Sequence, residues 1–476
     1  MPNTFALEKR DIFFWLCQLD KASTVMTVEE GIAPENIGAQ TASALRKIIA
    51  EADLPGAERP TDYLQVGPLL RAIVGPDSSR IHAGRSRQDI LATVHRLLLR
   101  DRLLLVLHGL SELRAGLLRL AAQYRTAVLP AYTNGVQAQP VSFGHLALGY
   151  EATLQRASQR LTEAFPRVNS SPLGGAALAT SSFPVNRTRL AELLGFDQPV
   201  QNSFDAVQLS PIDVGFEVAA GAMGLALSVG TFVQDVHAQF HHAKPWLLLD
   251  DDALLAPSTL MPQKRNPVAL NRARLLASEV VGDGVSTAFA AHNVSSGLTD
   301  YKRGEAARTL ERTVAMLAEV NAIVAALRVD SAAALAEVRA DYSTTSELAN
   351  ILQRDADVPF HTGHQFASEL VTFGRGAGLL ADEIPFSEAQ RIYRATAGQE
   401  IPLDETQFRS ALDPVAMVAG FRGLGGPQAA EFERMHGDSA AILASDNDWL
   451  LDVESRLSLT EARLDTQLDA LAQSAN

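Results

Sequence analysis

The run from Ile90 to Tyr124 does most to narrow the fold, because it reads as one long helical stretch with several apolar faces. Phe143 to Phe165, Val214 to Ala243, Val268 to Phe289 and Ala306 to Leu327 repeat the pattern. Helices of this length, separated by loops, bury their faces against one another, so the expected fold class is an all-α bundle. The stretch Gly215 to Leu227 carries almost no charge, which predicts a helix buried on all sides. The most apolar window, Val218 to Val233, falls short of the ~20 residues that span a bilayer, and Glu217 and Asp235 bracket it. Ser331 to Ala336 is Ala-rich and reads as ordinary helix.

At 476 residues the chain is long enough for two or three domains. Lys and Arg total 41 against 55 acids, a net charge of -14, which argues against nucleic acid or an anionic membrane as partner. An anionic small molecule would need a locally basic site, and Arg85, Arg87, Lys264 and Arg265 are candidates for it. The single cysteine, Cys17, lies among Phe13, Phe14, Trp15 and Leu16 and reads as a core residue in a reducing compartment. Glu8, Lys9, Arg10 and Asp11 interrupt any early apolar run, so a soluble, cytoplasmic protein is expected.

One loop carries chemistry. Ser258-Thr-Leu-Met-Pro-Gln-Lys264-Arg-Asn266-Pro267 places a hydroxyl, an ammonium and a carboxamide just ahead of the helix beginning at Val268. Backbone N–H groups at a helix start favour anions. Lys264 can bind a carboxylate or lower the pKa of a neighbouring hydroxyl, so the loop suits abstraction of a proton beside a carboxylate. An exposed, proline-bracketed loop with a solvated Lys–Arg pair is the plainer alternative.

The loop resembles the signature of the fumarase/aspartase superfamily, Gly-Ser-Ser-x-Met-Pro-x-Lys-x-Asn-Pro. Other blocks narrow the resemblance to the argininosuccinate lyase family. His82-Ala-Gly-Arg85-Ser86-Arg87-Gln88-Asp89 is similar to its His-Thr-Gly-Arg-Ser-Arg-Asn-Asp block, and Tyr132-Thr133-Asn134, followed by Ala138-Gln139-Pro140-Val141, to its Tyr-Thr-His block. Ser171 to Ala179, Phe183-Pro184, Asn202 to Val207, Ala340 to Ala349, Val358 to Phe360 and Leu412 to Pro414 follow in the family's order.

This resemblance implies a three-domain fold: a small helical domain over 1–76, a long central helical bundle over 77–352 and a small helical domain over 353–476. It implies a homotetramer whose active sites draw loops from three subunits, a small dicarboxylate substrate, and chemistry that needs no metal or other cofactor. The implied reaction is β-elimination with release of fumarate. Ser258 would be the base, Lys264 and Asn266 would hold the carboxylate whose charge grows, and Ser86, Arg87, Gln88, Thr133, Asn134 and Gln139 would contact substrate. Arg85 could bind substrate or serve as a structural ion-pair partner.

Several positions depart from the family. Asn134 and Asn271 stand where the family pairs a His with a Glu on the leaving-group side. Gly297, Thr299 and Lys302 stand where it has Tyr, Lys and Gln, Ser210-Pro211 replaces an Arg-Asp pair, and Gln88 replaces Asn. Pro257 replaces the signature's first glycine and stiffens the loop. The fumarate half of the site is kept while the amine half is altered, which points to an N-substituted aspartate other than argininosuccinate. True argininosuccinate lyase, and a scaffold that has lost catalysis, remain as alternatives. His292 is a candidate replacement acid. His237 and His241 share a helical face that could bind a metal, but no acidic third ligand accompanies them. His361 and His364 read as surface or packing residues.

Overall fold

The computed structural model describes residues 10–298 and 305–474. The helices are α1 (Ile12–Glu29), α2 (Glu35–Ala52), α3 (Tyr63–Val74), α4 (Arg87–Gln123), α5 (Phe143–Val168), α6 (Arg187–Leu193), α7 (Ser210–Gln239), α8 (Val268–Ala291) and α9 (Glu305–Ala326). They continue with α10 (Ser331–Arg339), α11 (Ser346–Ala356), α12 (Phe360–Ala377), α13 (Phe386–Ala397), α14 (Glu405–Leu412), α15 (Pro414–Gly420) and α16 (Ala429–Gln473). The fold is all-α. The main strand pair is the hairpin β1 (Val128–Thr133) and β2 (Val136–Ser142). Each of the five long runs read from the sequence is a helix, with ends within a few residues of those expected.

Local chemistry sets the helix starts. Ser86 caps α4 and Asp89 returns the hydrogen bond, closing a capping box. Asp62 and Gln65 do the same for α3, and Ser142 caps α5. A π-helical turn, Asp205–Leu209, leads into α7.

The apolar side chains gather in separate cores. The largest joins α4, α5, α7, α8 and α9 with Phe432, Leu443, Leu450 and Leu457 of α16. A second joins α1, α2, α3, the first turns of α4 and the segment Leu190 to Phe196 with Leu464 and Leu468 of α16. A third is built from Leu348 to Leu412. The terminal helix therefore differs from the expected division: it leaves the third core and runs along the other two. Its Leu and Val residues recur at helical spacing and need those partners, because α16 is too long to be covered by a small domain.

Helix α7 also differs from expectation. It packs against α5, α8 and α9, yet Phe216 and Leu227 on one stripe stay exposed within the single chain. The helical run Asp205–Gln239, longer than the window read from the sequence, contains an 18-residue stretch that by length and composition is apolar enough to cross a membrane. Its buried stripe is that of a bundle core helix. Leu275, Val285 and Phe289 of α8 are likewise exposed. Cys17 is buried, as its aromatic neighbours predict.

Candidate active site

The blocks around α4, widely separated in sequence, fold into one knot. Asp89, fully buried, accepts hydrogen bonds from the backbone N–H groups of Ser86 (2.7 Å), Gly174 (2.9 Å) and Ala176 (3.1 Å). Burial pushes its carboxyl up to about 6, against the pull of those N–H groups and of Arg85. Gly84 and Gly174 adopt positive φ, and a side chain would collide with Val185 at Gly84 and with Arg187 at Gly174. Ser203 Oγ donates to the Leu178 carbonyl (3.0 Å), and Gln208 Nε2 to that of Ala177 (2.9 Å). Asp89 was not among the expected functional residues, although the Ser-x-x-Asp pattern before an apolar run signals its capping role.

Arg85 and Arg87 part company here. The Arg85 guanidinium lies 2.8 Å from the Asp20 carboxylate, with both side chains only 1% exposed, and over the Tyr63 ring. Burial pushes the Asp20 carboxyl up and Arg85 opposes it. Arg85 is thus a buried structural partner rather than part of an exposed basic cluster, and Asp20 carried no sequence signal of this. Arg87, half exposed, pairs with Asp62. Gln88 Nε2 donates to the carbonyl of Gly297 (3.3 Å), beyond the end of α8. Thr299 and Lys302 lie outside the described residues.

The hairpin carries Thr133 and Asn134 at its exposed tip. Thr133 pairs with Val136 across the two-residue turn, and Asn134 (φ 53°) and Gly135 (φ 75°) both take positive φ. This is a type I′ turn, for which Asn-Gly is a favoured sequence. Asn134 therefore has a backbone reason to be Asn, apart from any role on the leaving side. Gln139 is exposed on β2. The hairpin is pinned to α10: the Tyr132 hydroxyl donates to Glu337, and Gln137 Nε2 to the Val338 carbonyl (3.2 Å) and Ser343 Oγ (3.1 Å). His242 sits 3.6 Å from the same Glu337.

The loop before α8 is closed by a short antiparallel pairing of Ala256–Pro257 with Arg265–Asn266. Asn266 Nδ2 donates to the Ala256 carbonyl (3.1 Å). The Ser258 hydroxyl accepts from the N–H groups of Met261 (3.1 Å) and Leu260 (3.4 Å). Donors already aimed at that oxygen would stabilise an alkoxide there. Lys264 is exposed. Pro267 occupies the position just before α8.

These residues divide between the two ends of α8. Asn271, in the first turns of α8, lies beside His237 near the end of α7. A turn further along, His242 meets Glu337, which also holds the hairpin. Ser258, Lys264, Asn266, Thr133 and Asn134 thus share one end of the bundle. Ser86, Arg87 and Gln88 lie at the other, where Gln88 meets Gly297 and where His292 caps α8. The 24 residues of α8 separate the ends by about 36 Å. A single chain does not bring its own candidate residues into one site. His237 and His241 are in edge-to-face ring contact (centroids 5.6 Å), and His364 packs against Phe360 in α12.

Known proteins place the chain. A family profile described as a lyase matches residues 29–282. The chain is 32% identical to argininosuccinate lyase of Methanoculleus marisnigri, over 81% of its own length and 77% of that protein's. It is 29% identical to argininosuccinate lyase of Methanothermobacter thermautotrophicus, over 86% and 88%. Among solved structures, EDDS lyase in complex with formate aligns with a TM-score of 0.89 and 26% identity, covering 98% of this chain and 92% of that one.

Proposed function

The chain belongs to the argininosuccinate lyase family of the fumarase/aspartase superfamily and is a carbon–nitrogen lyase; from that premise we propose that it releases fumarate from an N-substituted aspartate. The observation that carries this reading is the Ser258 hydroxyl, held by two backbone N–H groups on the loop that bears Lys264 and Asn266. Ser258, as alkoxide, takes the proton from the carbon beside one carboxylate. Lys264 and Asn266 hold that carboxylate as it becomes an aci-carboxylate, and the C–N bond then breaks to give fumarate. Losing one such contact costs about 3–4 kcal/mol of barrier.

Ser86, Arg87 and Thr133 hold the succinyl carboxylates in this reading, with Gln88, Asn134 and Gln139 beside them. Arg87 must exchange Asp62 for the substrate. Its half-exposed ion pair is worth only about 0–1 kcal/mol, so the exchange is inexpensive. The roughly 36 Å between the two ends of α8 supports a site completed by other copies of the chain, with the exposed apolar stripes of α7 and α8 as the joining surfaces. We place these sites in a homotetramer with antiparallel central helices.

Ultraviolet absorbance of fumarate, measured with argininosuccinate and a panel of N-substituted aspartates for the unaltered protein and Ser258→Ala, tests the reading. Turnover of another conjugate but not argininosuccinate, abolished in the variant, is the expected result and fits the altered positions Asn271 and Gly297. Release from argininosuccinate would identify a genuine argininosuccinate lyase. Silence with every conjugate would leave a scaffold.

A further inference from the structure

We infer that the cavity behind the hairpin is a second ligand site, one that takes an aromatic ammonium and lies apart from the groups assigned to the lyase reaction. The cavity measures about 490 Å³ and lies between α5, α7, the hairpin and the segment after α7. That volume is within the usual range for small-molecule pockets and matches that of about sixteen waters. Tyr132 and Gly135 line it, whereas Thr133 and Asn134 between them do not. Successive side chains of a strand face opposite ways, which explains the division at Tyr132 and Thr133. The hairpin thus turns its proposed substrate residues to one side and a wall of the cavity to the other.

Aromatic surface and charge define the ligand. Phe143 and Tyr150 of α5, Phe232 of α7, Tyr132 and Trp246 all face the cavity, in a chain that is only 6% aromatic. Phe143 and Tyr150 share one face of α5 at helical spacing. Tyr150 and Phe232 meet edge to face, with ring centroids 5.1 Å apart, and so join the two helices in one wall. Such a wall stacks on flat rings, and ring faces attract cations. Asp235, one turn after Phe232 on the same side of α7, lines the cavity and is exposed, which puts it at the mouth. It accepts a hydrogen bond from the Tyr150 hydroxyl, and a carboxylate has further lone pairs for an ammonium. Glu337, which holds the Tyr132 hydroxyl, lies 3.6 Å from His242, another lining residue. Among the described residues no Lys or Arg lines the cavity. An anionic mouth over an aromatic floor selects a ring that carries an ammonium and rejects one that carries a carboxylate. That preference is the reverse of what the dicarboxylate site requires.

Three indoles of similar size separate the charge from the ring: tryptamine, tryptophol and indole-3-propionate carry an ammonium, a hydroxyl and a carboxylate. The experiment is isothermal titration calorimetry of each against the intact protein at neutral pH, with and without saturating fumarate. It is repeated for Asp235→Asn, for Leu146→Trp, which fills the cavity from α5, and for Ser258→Ala, each shown by circular dichroism to be folded. Tryptamine is expected to bind once per chain with a Kd of about 0.1–1 mM. Indole-3-propionate should bind at least about tenfold more weakly, with tryptophol between them. Asp235→Asn should weaken tryptamine about fivefold and leave tryptophol unchanged, and Leu146→Trp should weaken both. Fumarate and Ser258→Ala should leave the titration as it is. Tryptamine binding left intact by both cavity variants would overturn the inference, and its displacement by fumarate would seat the amine in the reaction site instead. No tryptamine binding at about 10 mM, or equal binding of indole-3-propionate, would overturn it as well. Heat of binding is read rather than turnover, so a failure here is distinct from a failure of the lyase reading.

Discussion

The Arg85–Asp20 pair decides whether the arginine next to Ser86 binds substrate or holds the fold. At 2.8 Å, and with an effective dielectric constant of about 20, the attraction is about 6 kcal/mol. Removing each ion from water costs several kcal/mol, so the intact pair is close to neutral in net stability. Removing one partner is different, because the other is left buried and uncompensated. Arg85→Met and Asp20→Leu should each destabilise by about 3–5 kcal/mol, and Asp20→Leu is the harsher test because the guanidinium cannot shed its charge. The double substitution replaces both ions with apolar groups and should cost less than either single change. Urea unfolding followed by far-ultraviolet circular dichroism, at one fixed protein concentration, gives the stabilities. Fumarate release at a temperature where the variants stay folded gives KM. The structural account is refuted if Arg85→Met is as stable as the unaltered protein to within about 1 kcal/mol while its KM rises tenfold, since a substrate arginine would give that result.

Two further perturbations test how the knot around α4 is built. Burial raises the Asp89 carboxyl from 3.8 to about 6, so the stability tied to its protonated form is complete below pH 3.8 and lost as pH rises through 6. The advantage of the unaltered protein over Asp89→Asn should therefore shrink by about 2 kcal/mol between pH 4 and pH 7, read by urea unfolding at each pH. Gly175→Ala would set a Cβ 2.6 Å from Val207 Cγ2 and close to the carbonyls of Pro172 and Ser203. It should lower stability by about 1–3 kcal/mol, with Val207→Ala in the same chain recovering part of the loss in a thermal melt.

The helices were legible because their apolar spacing is a local property, repeated over many turns, and because Ser86 and Asp89 mark where α4 begins. The Asn134-Gly135 turn was not read, because the sequence invited a chemical reading of Asn134 before a conformational one. Long-range pairing was not legible. Nothing near Asp20 says that its partner is Arg85, since an acid within an apolar helix is equally compatible with a solvated face. Nor does the spacing within α16 say which cores it crosses. The nearly charge-free stretch of α7 was read as buried on all sides, but burial of every face requires more protein than one chain supplies. The separation of the candidate residues has the same cause. Motif order along a sequence carries no information about which copy of the chain completes a site.

That separation can be tested without a structure of the assembly. If Ser258 comes from one copy and Arg87 from another, Ser258→Ala and Arg87→Ala chains are each inactive alone but carry complementary intact halves. Mixed at equal amounts and reassembled from the dissociated state, a site is whole only when its Ser258 comes from an Arg87→Ala chain and its Arg87 from a Ser258→Ala chain. Random assembly makes that about one site in four, so about a quarter of the unaltered activity should return. A site within one chain would return none, because every chain then carries one defect in its own site. Partial unfolding does not imitate the effect, since neither variant mixed with itself and taken through the same cycle gains a whole site. Zero recovery from chains shown by light scattering to have reassembled would refute the shared site. The roughly 36 Å between the ends of α8 would then have to be closed by a rearrangement of the bundle itself.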